Sequence, residues 1–248
     1  MAKDLNPSIV VFTMGKVAST AVAQSLREAE FPVYDIHALA PRRILSQLER
    51  EFENPERQSV PNHIINSIKV HNDFARFRKN RVISLIREPV MRNISAVFQN
   101  LPQRLAEDFD EILERLQRYE PGVPDFWFEK DFIPATGIDV FDTRVDPTSD
   151  HFILSNDRFD VLILKMDSSD ARKSEIVSEF VEKDVKVIRQ NEAHDKWYSE
   201  TYAKIGQSLD LMGSDYLEKC FALKYFRTFF SEEERTAVAR KFNYQGAI

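Results

Sequence analysis

The sequence predicts an α/β protein built around a central, mostly parallel sheet. Three observations carry that prediction. Ile9-Val10-Val11-Phe12 and Arg81-Val82-Ile83-Ser84-Leu85-Ile86 are short apolar runs rich in β-branched residues, and they read as buried strands. Each is followed by a tight turn and then by a segment with helical periodicity, which is the alternation of an α/β chain. The second run is nearly continuous in apolar residues, as a strand covered on both faces requires.

The first unit runs from Ile9 to Leu26. Val17, Val22 and Leu26 recur at helical spacing, so a helix opens inside the turn after the first strand. Phe31 to His37 reads as a second strand. Residues 41–54 carry Ile44, Leu45, Leu48 and Phe52 on one side of an amphipathic helix that starts at Pro41. Asn66 to His71 reads as a third strand and Arg81 to Ile86 as a fourth. A helix follows from Pro89 to about Asn100, with the proline at its first position.

Residues 105–119 form another amphipathic helix through Leu105, Phe109, Ile112, Leu113 and Leu116. Pro121 to Asp150 is rich in proline, aspartate and aromatics. It reads as an irregular insertion with short helical turns, forming a lid or an acceptor pocket over the sheet. Phe159 to Leu164 is a further buried strand, 170–183 a helix, and Val185 to Ile188 a short β-like stretch. Helices are expected over His194 to Met212 and Asp215 to Phe221. Ser231 opens the last one, with Glu234 at capping-box spacing. The whole chain, 1–248, reads as one domain with a helical C-terminal part from about residue 190.

Composition narrows the function. The net charge of −6 argues against a general nucleic-acid or membrane-surface binder, so any anion site must be a local basic pocket. The single cysteine, Cys220, permits no intramolecular disulfide and fits a reducing, cytoplasmic setting. No apolar run approaches the ~18 residues of a membrane span, and the polar N-terminus lacks the apolar core of a signal peptide. Oligomeric state is not set by the sequence, and a homo-oligomer stays open.

The chemistry concentrates at strand ends. Thr13-Met14-Gly15-Lys16-Val17-Ala18-Ser19-Thr20 places a glycine turn, a lysine and two hydroxyls at the start of a helix. Unpaired backbone N–H groups and the positive end of the helix dipole make such a place an anion site. The spacing is not that of a Walker A loop, and alone it equally suits an ordinary turn with a surface lysine. Lys69 and His71 close the expected third strand. Arg87 follows the fourth, with Ser95 about two turns into the next helix. In an open parallel sheet, ligands bind at the carboxyl ends of strands. These groups would then converge on a ligand with several anionic groups.

Thr13 to Thr20 resembles the 5′-phosphosulfate-binding turn of sulfotransferases. Arg87-Glu88-Pro89-Val90-Met91-Arg92-Asn93-Ile94-Ser95 resembles their 3′-phosphate motif, and Lys69-Val70-His71 resembles the K-T-H segment of the cytosolic branch. Asp195-Lys196-Trp197-Tyr198-Ser199 is similar to the signature of a bacterial branch named for N-K-W-Y-S and linked to capsular polysaccharide synthesis. Here Asp stands first.

The resemblance implies a three-layer, P-loop-like sulfotransferase fold. It implies transfer of a sulfuryl group from 3′-phosphoadenosine 5′-phosphosulfate (PAPS) to a hydroxyl of a carbohydrate or other small acceptor. The product would be 3′,5′-ADP, and no metal is required. Thr13, Gly15, Lys16, Val17, Ala18, Ser19 and Thr20 would hold the 5′ side, with Lys16 stabilising the leaving group. Arg87 and Ser95 would hold the 3′-phosphate, His71 would act as base and Lys69 would orient the sulfonate. The cytosolic family's R-K-G loop has no match, and Arg189, Lys196 and Arg227 stay open as substitutes.

Two other functions fit the sequence less well. A P-loop-like ATP-dependent kinase lacks Walker A spacing and a magnesium carboxylate after a strand. A non-catalytic nucleotide-binding protein of surface-polysaccharide synthesis would keep the fold without turnover. His37 and His63 have no metal-ligand spacing partners. His194, Asp195 and Ser199 are too close in sequence to stack as a hydrolase triad. Trp197 and Tyr198 read as packing residues.

Overall fold

The computed structural model describes residues 8–53, 59–74, 79–99, 101–105, 108–188, 197–207 and 213–248. Along the chain run β1 (Ile9–Phe12), α1 (Ser19–Glu28), β2 (Val33–Ile36), α2 (Pro41–Glu53), α3 (Asn62–Asp73), β3 (Asn80–Ile86) and α4 (Pro89–Gln99). Then come α5 (Phe109–Arg118), α6 (Val123–Trp127), α7 (Ile133–Thr136), β4 (His151–Ser155), β5 (Phe159–Lys165) and α8 (Asp170–Val181). The described chain closes with α9 (Ser199–Gln207), α10 (Ser214–Phe221), α11 (Lys224–Phe229) and α12 (Glu232–Lys241).

These elements fall into two compact units. The sheet unit comprises 1–86, 126–143 and 150–188, and the helical unit comprises 87–125, 144–149 and 189–248. No helix among the described residues is long and apolar enough to cross a membrane.

The sheet unit holds five strands in the order β2-β1-β3-β5-β4. β2, β1, β3 and β5 are mutually parallel, and β4 alone runs antiparallel, against β5. β3 and β5 pair along all of Asn80–Ile86 and Phe159–Lys165. Every residue of β1 is buried, and so is all of β3 except Arg81. Each such apolar side chain contributes about 1.5–3 kcal/mol by leaving water. The center of this unit is therefore the β1-β3-β5 trio, as the apolar runs predict.

The expected third strand is a helix. Asn66 to His71 lies inside α3, which starts after Pro61. Its buried face is Ile64, Ser67 and Val70, at i, i+3 and i+6, whereas Ile65 and Ile68 are 37% and 41% exposed. The apolar alternation of Ile68 and Val70 imitates a strand. The buried position between them and Ile64 is a serine whose hydroxyl donates to the His63 carbonyl at 2.8 Å, a bond that helix geometry allows.

Other differences are smaller. Val185 to Ile188 forms no strand. Residues 123–136, expected as irregular chain with short helical turns, are one helical run in which a π-turn at Phe128–Phe132 joins α6 to α7. In the sheet unit, Trp127, Phe128 and Phe132 of this run close an aromatic cluster on Phe12. β4 and α11 were not expected from the sequence.

The helical unit is ordered by its termini. Asp108 caps α5 by accepting from the Glu111 N–H at 3.0 Å. Asp125 accepts from the N–H groups of Lys224 and Tyr225 at the start of α11, at 3.0 and 2.8 Å. The capping box at Ser231 and Glu234 forms as its spacing predicts.

Candidate functional site

In the sheet unit, the turn after β1 carries a cluster of unusual backbone angles. Gly15, Lys16 and Ala18 all have positive φ, at 81°, 64° and 59°. Left-handed backbone costs a non-glycine residue of order 1–2 kcal/mol, and such strain gathers where a loop must present its backbone to a ligand. Turns that mix right- and left-handed residues form anion-binding concavities of backbone N–H groups, and this turn is a candidate for one. Thr13, Val17 and Ser19 are buried, Gly15 and Lys16 are half-buried, and Ala18 and Thr20 are exposed. Ala18 gives α1 no side-chain cap, and no acidic residue stands in its first turn. The electropositive helix end is thus not neutralised by its own sequence.

His37 follows β2 at the level of this turn. Its Nδ1 lies 3.0 Å from the Thr13 carbonyl, an acceptor only, so Nδ1 carries the hydrogen and donates it. In the neutral ring Nε2 is then the basic nitrogen. The His37 carbonyl accepts from the Trp127 indole at 2.9 Å, and the His37 and His63 rings pack at 4.9 Å. Burial pushes the nearby Asp35 carboxyl up, against the charges of Arg27 and His63. Among the described residues no group of His, Cys, Asp and Glu could hold a metal ion.

Lys69 and His71 do not sit at a strand end. They are exposed positions of α3, about 200° apart around its axis, so they do not share a face. With 66–71 helical, no strand end brings Lys69 and His71 to the Lys16 turn.

In the helical unit, Arg87 and Ser95 do meet. The Arg87 guanidinium donates to the Ser95 hydroxyl at 2.7 Å and to the Tyr202 hydroxyl at 3.3 Å. Ser95 and Tyr202 are 2.9 Å apart, closing a triangle. All three side chains are half-buried and keep access to water. The Arg87 backbone is fixed separately by Tyr225, which is fully buried and meets both its N–H and its carbonyl. Glu88 caps α4 by accepting from the Val90 and Met91 N–H groups at 2.7 and 2.9 Å. Burial pushes the Glu88 carboxyl up, opposed by Arg87, Lys241 and those two N–H groups.

The signature segment is next to this triangle. Tyr198 and Tyr202, one helical turn apart, both pack on Phe98 of α4, at 5.3 and 5.2 Å. Trp197 rests edge-on against Tyr198 at 5.0 Å and is 45% exposed. Arg189, His194, Asp195 and Lys196 lie outside the described residues. Arg227 is an exposed residue of α11. Tyr202 and Tyr225 were not singled out from sequence. The signal for Tyr202 was its place four residues after Tyr198, and Tyr225 gave none.

A model of the family described as "NKWYS: Putative capsular polysaccharide synthesis protein" matches residues 105–231, slightly over half of the chain. The matched span includes Trp197, Tyr198, Tyr202 and Tyr225, and it excludes the Lys16 turn, Arg87 and Ser95. No curated protein and no solved structure matches the chain.

Proposed function

The chain belongs to the NKWYS family, and we propose that it is a sulfotransferase moving a sulfuryl group from PAPS to a hydroxyl of a saccharide or similar small acceptor. The observation that carries this reading is the Arg87–Ser95 pair, 2.7 Å apart within the helical unit. A guanidinium fork with a hydroxyl beside it matches a terminal phosphate. PAPS carries such a phosphate on its ribose 3′ oxygen, where ATP has only a hydroxyl.

The reaction balances without a redox partner. The acceptor oxygen attacks sulfur, and the bond from sulfur to the bridging phosphate oxygen breaks. 3′,5′-ADP leaves, and the acceptor's proton goes to a base. Charge is spread over the sulfuryl oxygens throughout, so positioning and preorganised donors supply the rate. The left-handed turn at Gly15, Lys16 and Ala18, with Ser19 and Thr20, would hold the 5′-phosphate. The Lys16 ammonium would neutralise the departing oxygen. Arg87 and Ser95 would hold the 3′-phosphate.

The base in this reading is His37 in place of His71. Its Nδ1–H is oriented by the Thr13 carbonyl, in the same turn as Lys16, and this tautomer makes Nε2 the basic nitrogen of the neutral ring. The fold of this reading is that of the P-loop-like sulfotransferases, and the parallel β1-β3-β5 trio with its strained first turn supports it. The placement in polysaccharide synthesis comes from the family description.

Cofactor choice tests the proposal. Thermal unfolding is recorded with 3′,5′-ADP, 5′-ADP and ATP–Mg²⁺, on wild type and Arg87→Ala. A ligand at 100 times its Kd adds about 2.7 kcal/mol to native stability. Stabilisation by 3′,5′-ADP alone, lost in Arg87→Ala, is expected. Stabilisation by ATP–Mg²⁺ in its place points to a kinase and sinks the sulfotransferase reading.

A further inference from the structure

We propose that Tyr202 is a specificity-determining residue. Its hydroxyl is the third donor, with Arg87 and Ser95, of the subsite that recognises a 3′-phosphate monoester. The NKWYS segment serves to hold it there. This rests on the reading of the Arg87–Ser95 pair as the 3′-phosphate site.

The geometry is a closed triangle. Arg87 reaches Ser95 at 2.7 Å and Tyr202 at 3.3 Å, and the two hydroxyls lie 2.9 Å apart. A guanidinium has donors and no acceptor, and each hydroxyl carries one hydrogen. The trio therefore holds more donor hydrogens than its own bonds consume. Its natural guest is a group made of acceptors, and a phosphate monoester offers three strong acceptor oxygens. All three side chains are half-buried, which weakens competition from water while leaving a path in.

Tyr202 comes from far along the chain, 107 residues after Ser95. What brings it there is ring packing. Tyr198, just before α9, and Tyr202, in its first turn, are joined by the Tyr202 N–H donating to the Tyr198 carbonyl, and both rings clasp Phe98, which lies one turn beyond Ser95 on α4. Trp197 braces Tyr198 from outside. The signature thus acts through Tyr198 and Trp197 as positioning residues, and only the Tyr202 hydroxyl faces the guest.

The test compares 3′,5′-ADP with 5′-ADP by calorimetric titration of the full chain. The variants are Tyr202→Phe, Tyr198→Phe and Arg87→Ala. Tyr202→Phe keeps the ring on Phe98 and removes one donor. Loss of one hydrogen bond to a charged group should weaken 3′,5′-ADP about tenfold. Binding of 5′-ADP should stay within about twofold, since that ligand has nothing at the subsite.

Tyr198→Phe should leave both affinities unchanged, because Tyr198 acts through its ring. Far-UV circular dichroism of each ligand-free variant confirms that α9 is kept. An unchanged ratio in Tyr202→Phe, with 3′,5′-ADP binding lost in Arg87→Ala, overturns the role of Tyr202 and leaves the 3′-phosphate reading standing. A wild type that binds 5′-ADP as tightly as 3′,5′-ADP overturns both. A Tyr198→Phe variant that loses the ratio as strongly as Tyr202→Phe moves the third donor to Tyr198 and also overturns the assignment.

Discussion

The Tyr225 hydroxyl holds Arg87 by its backbone, accepting from the N–H at 2.9 Å and donating to the carbonyl at 2.7 Å. One side chain thereby satisfies both polar groups of the peptide from which the guanidinium hangs. The residue's own side chain is left to face Ser95 and Tyr202. Because Tyr225 is fully buried, its loss cannot be made good by water at the same place.

Tyr225→Phe should therefore destabilise the protein by about 2–4 kcal/mol, the cost of leaving two buried polar groups unmet. In urea unfolding the midpoint should fall with the slope unchanged. A loss under about 1 kcal/mol would show that other groups can take over the Arg87 backbone.

Gly15 and Ala18 should respond in opposite directions to exchange. A Cβ on Gly15 meets nothing within 4 Å, so any penalty is conformational and not steric. At φ 81°, Gly15→Ala should cost about 1–2 kcal/mol. Ala18 already occupies that region at φ 59°. Ala18→Gly should stabilise by about 0.5–1 kcal/mol, the relieved strain less the extra freedom of the unfolded chain. Chemical denaturation of both variants decides it, and equal signs would refute the strain account.

Asp150 gives the sheet unit an acid-sensitive contact. Arg172 grips both its oxygens, at 2.7 and 3.4 Å, and holds its carboxyl down to about 2 against the opposing effect of burial. His151 adds a second bond at 2.7 Å. A carboxyl depressed in the folded state stabilises above its unfolded value of about 3.9, and that contribution disappears as pH falls toward 2. Wild type should exceed Arg172→Gln in stability at pH 6, and the gap should shrink from about pH 4 downward. The side chains are 34% and 40% exposed, so the amplitude is small. A gap that is constant from pH 6 to about pH 3 would mean that the pair contributes packing alone.

The sequence disclosed those parts in which one local rule acts alone. β3 was legible because a strand covered on both faces must be apolar throughout. The Arg87–Ser95 pair was legible because a strand end and a helix two turns on are fixed by chain geometry. α3 was misread because its buried face includes Ser67, so the apolar count favoured the wrong period. The π-turn at Phe128–Phe132 left no periodic trace at all. The contacts of Tyr202 and Tyr225 join segments more than a hundred residues apart and are decided by packing, so only the four-residue step from Tyr198 pointed to Tyr202 and nothing pointed to Tyr225.

The two tryptophans of the chain fall one in each unit. Trp127 is 3% exposed with its indole N–H engaged by a carbonyl, and Trp197 is 45% exposed in the signature segment. A dry indole emits toward the blue and a wet one toward the red. The protein therefore carries a built-in two-colour spectroscopic label, with one band for each unit and no dye attached. Watching the two bands during a temperature ramp tells whether the units melt together or in turn.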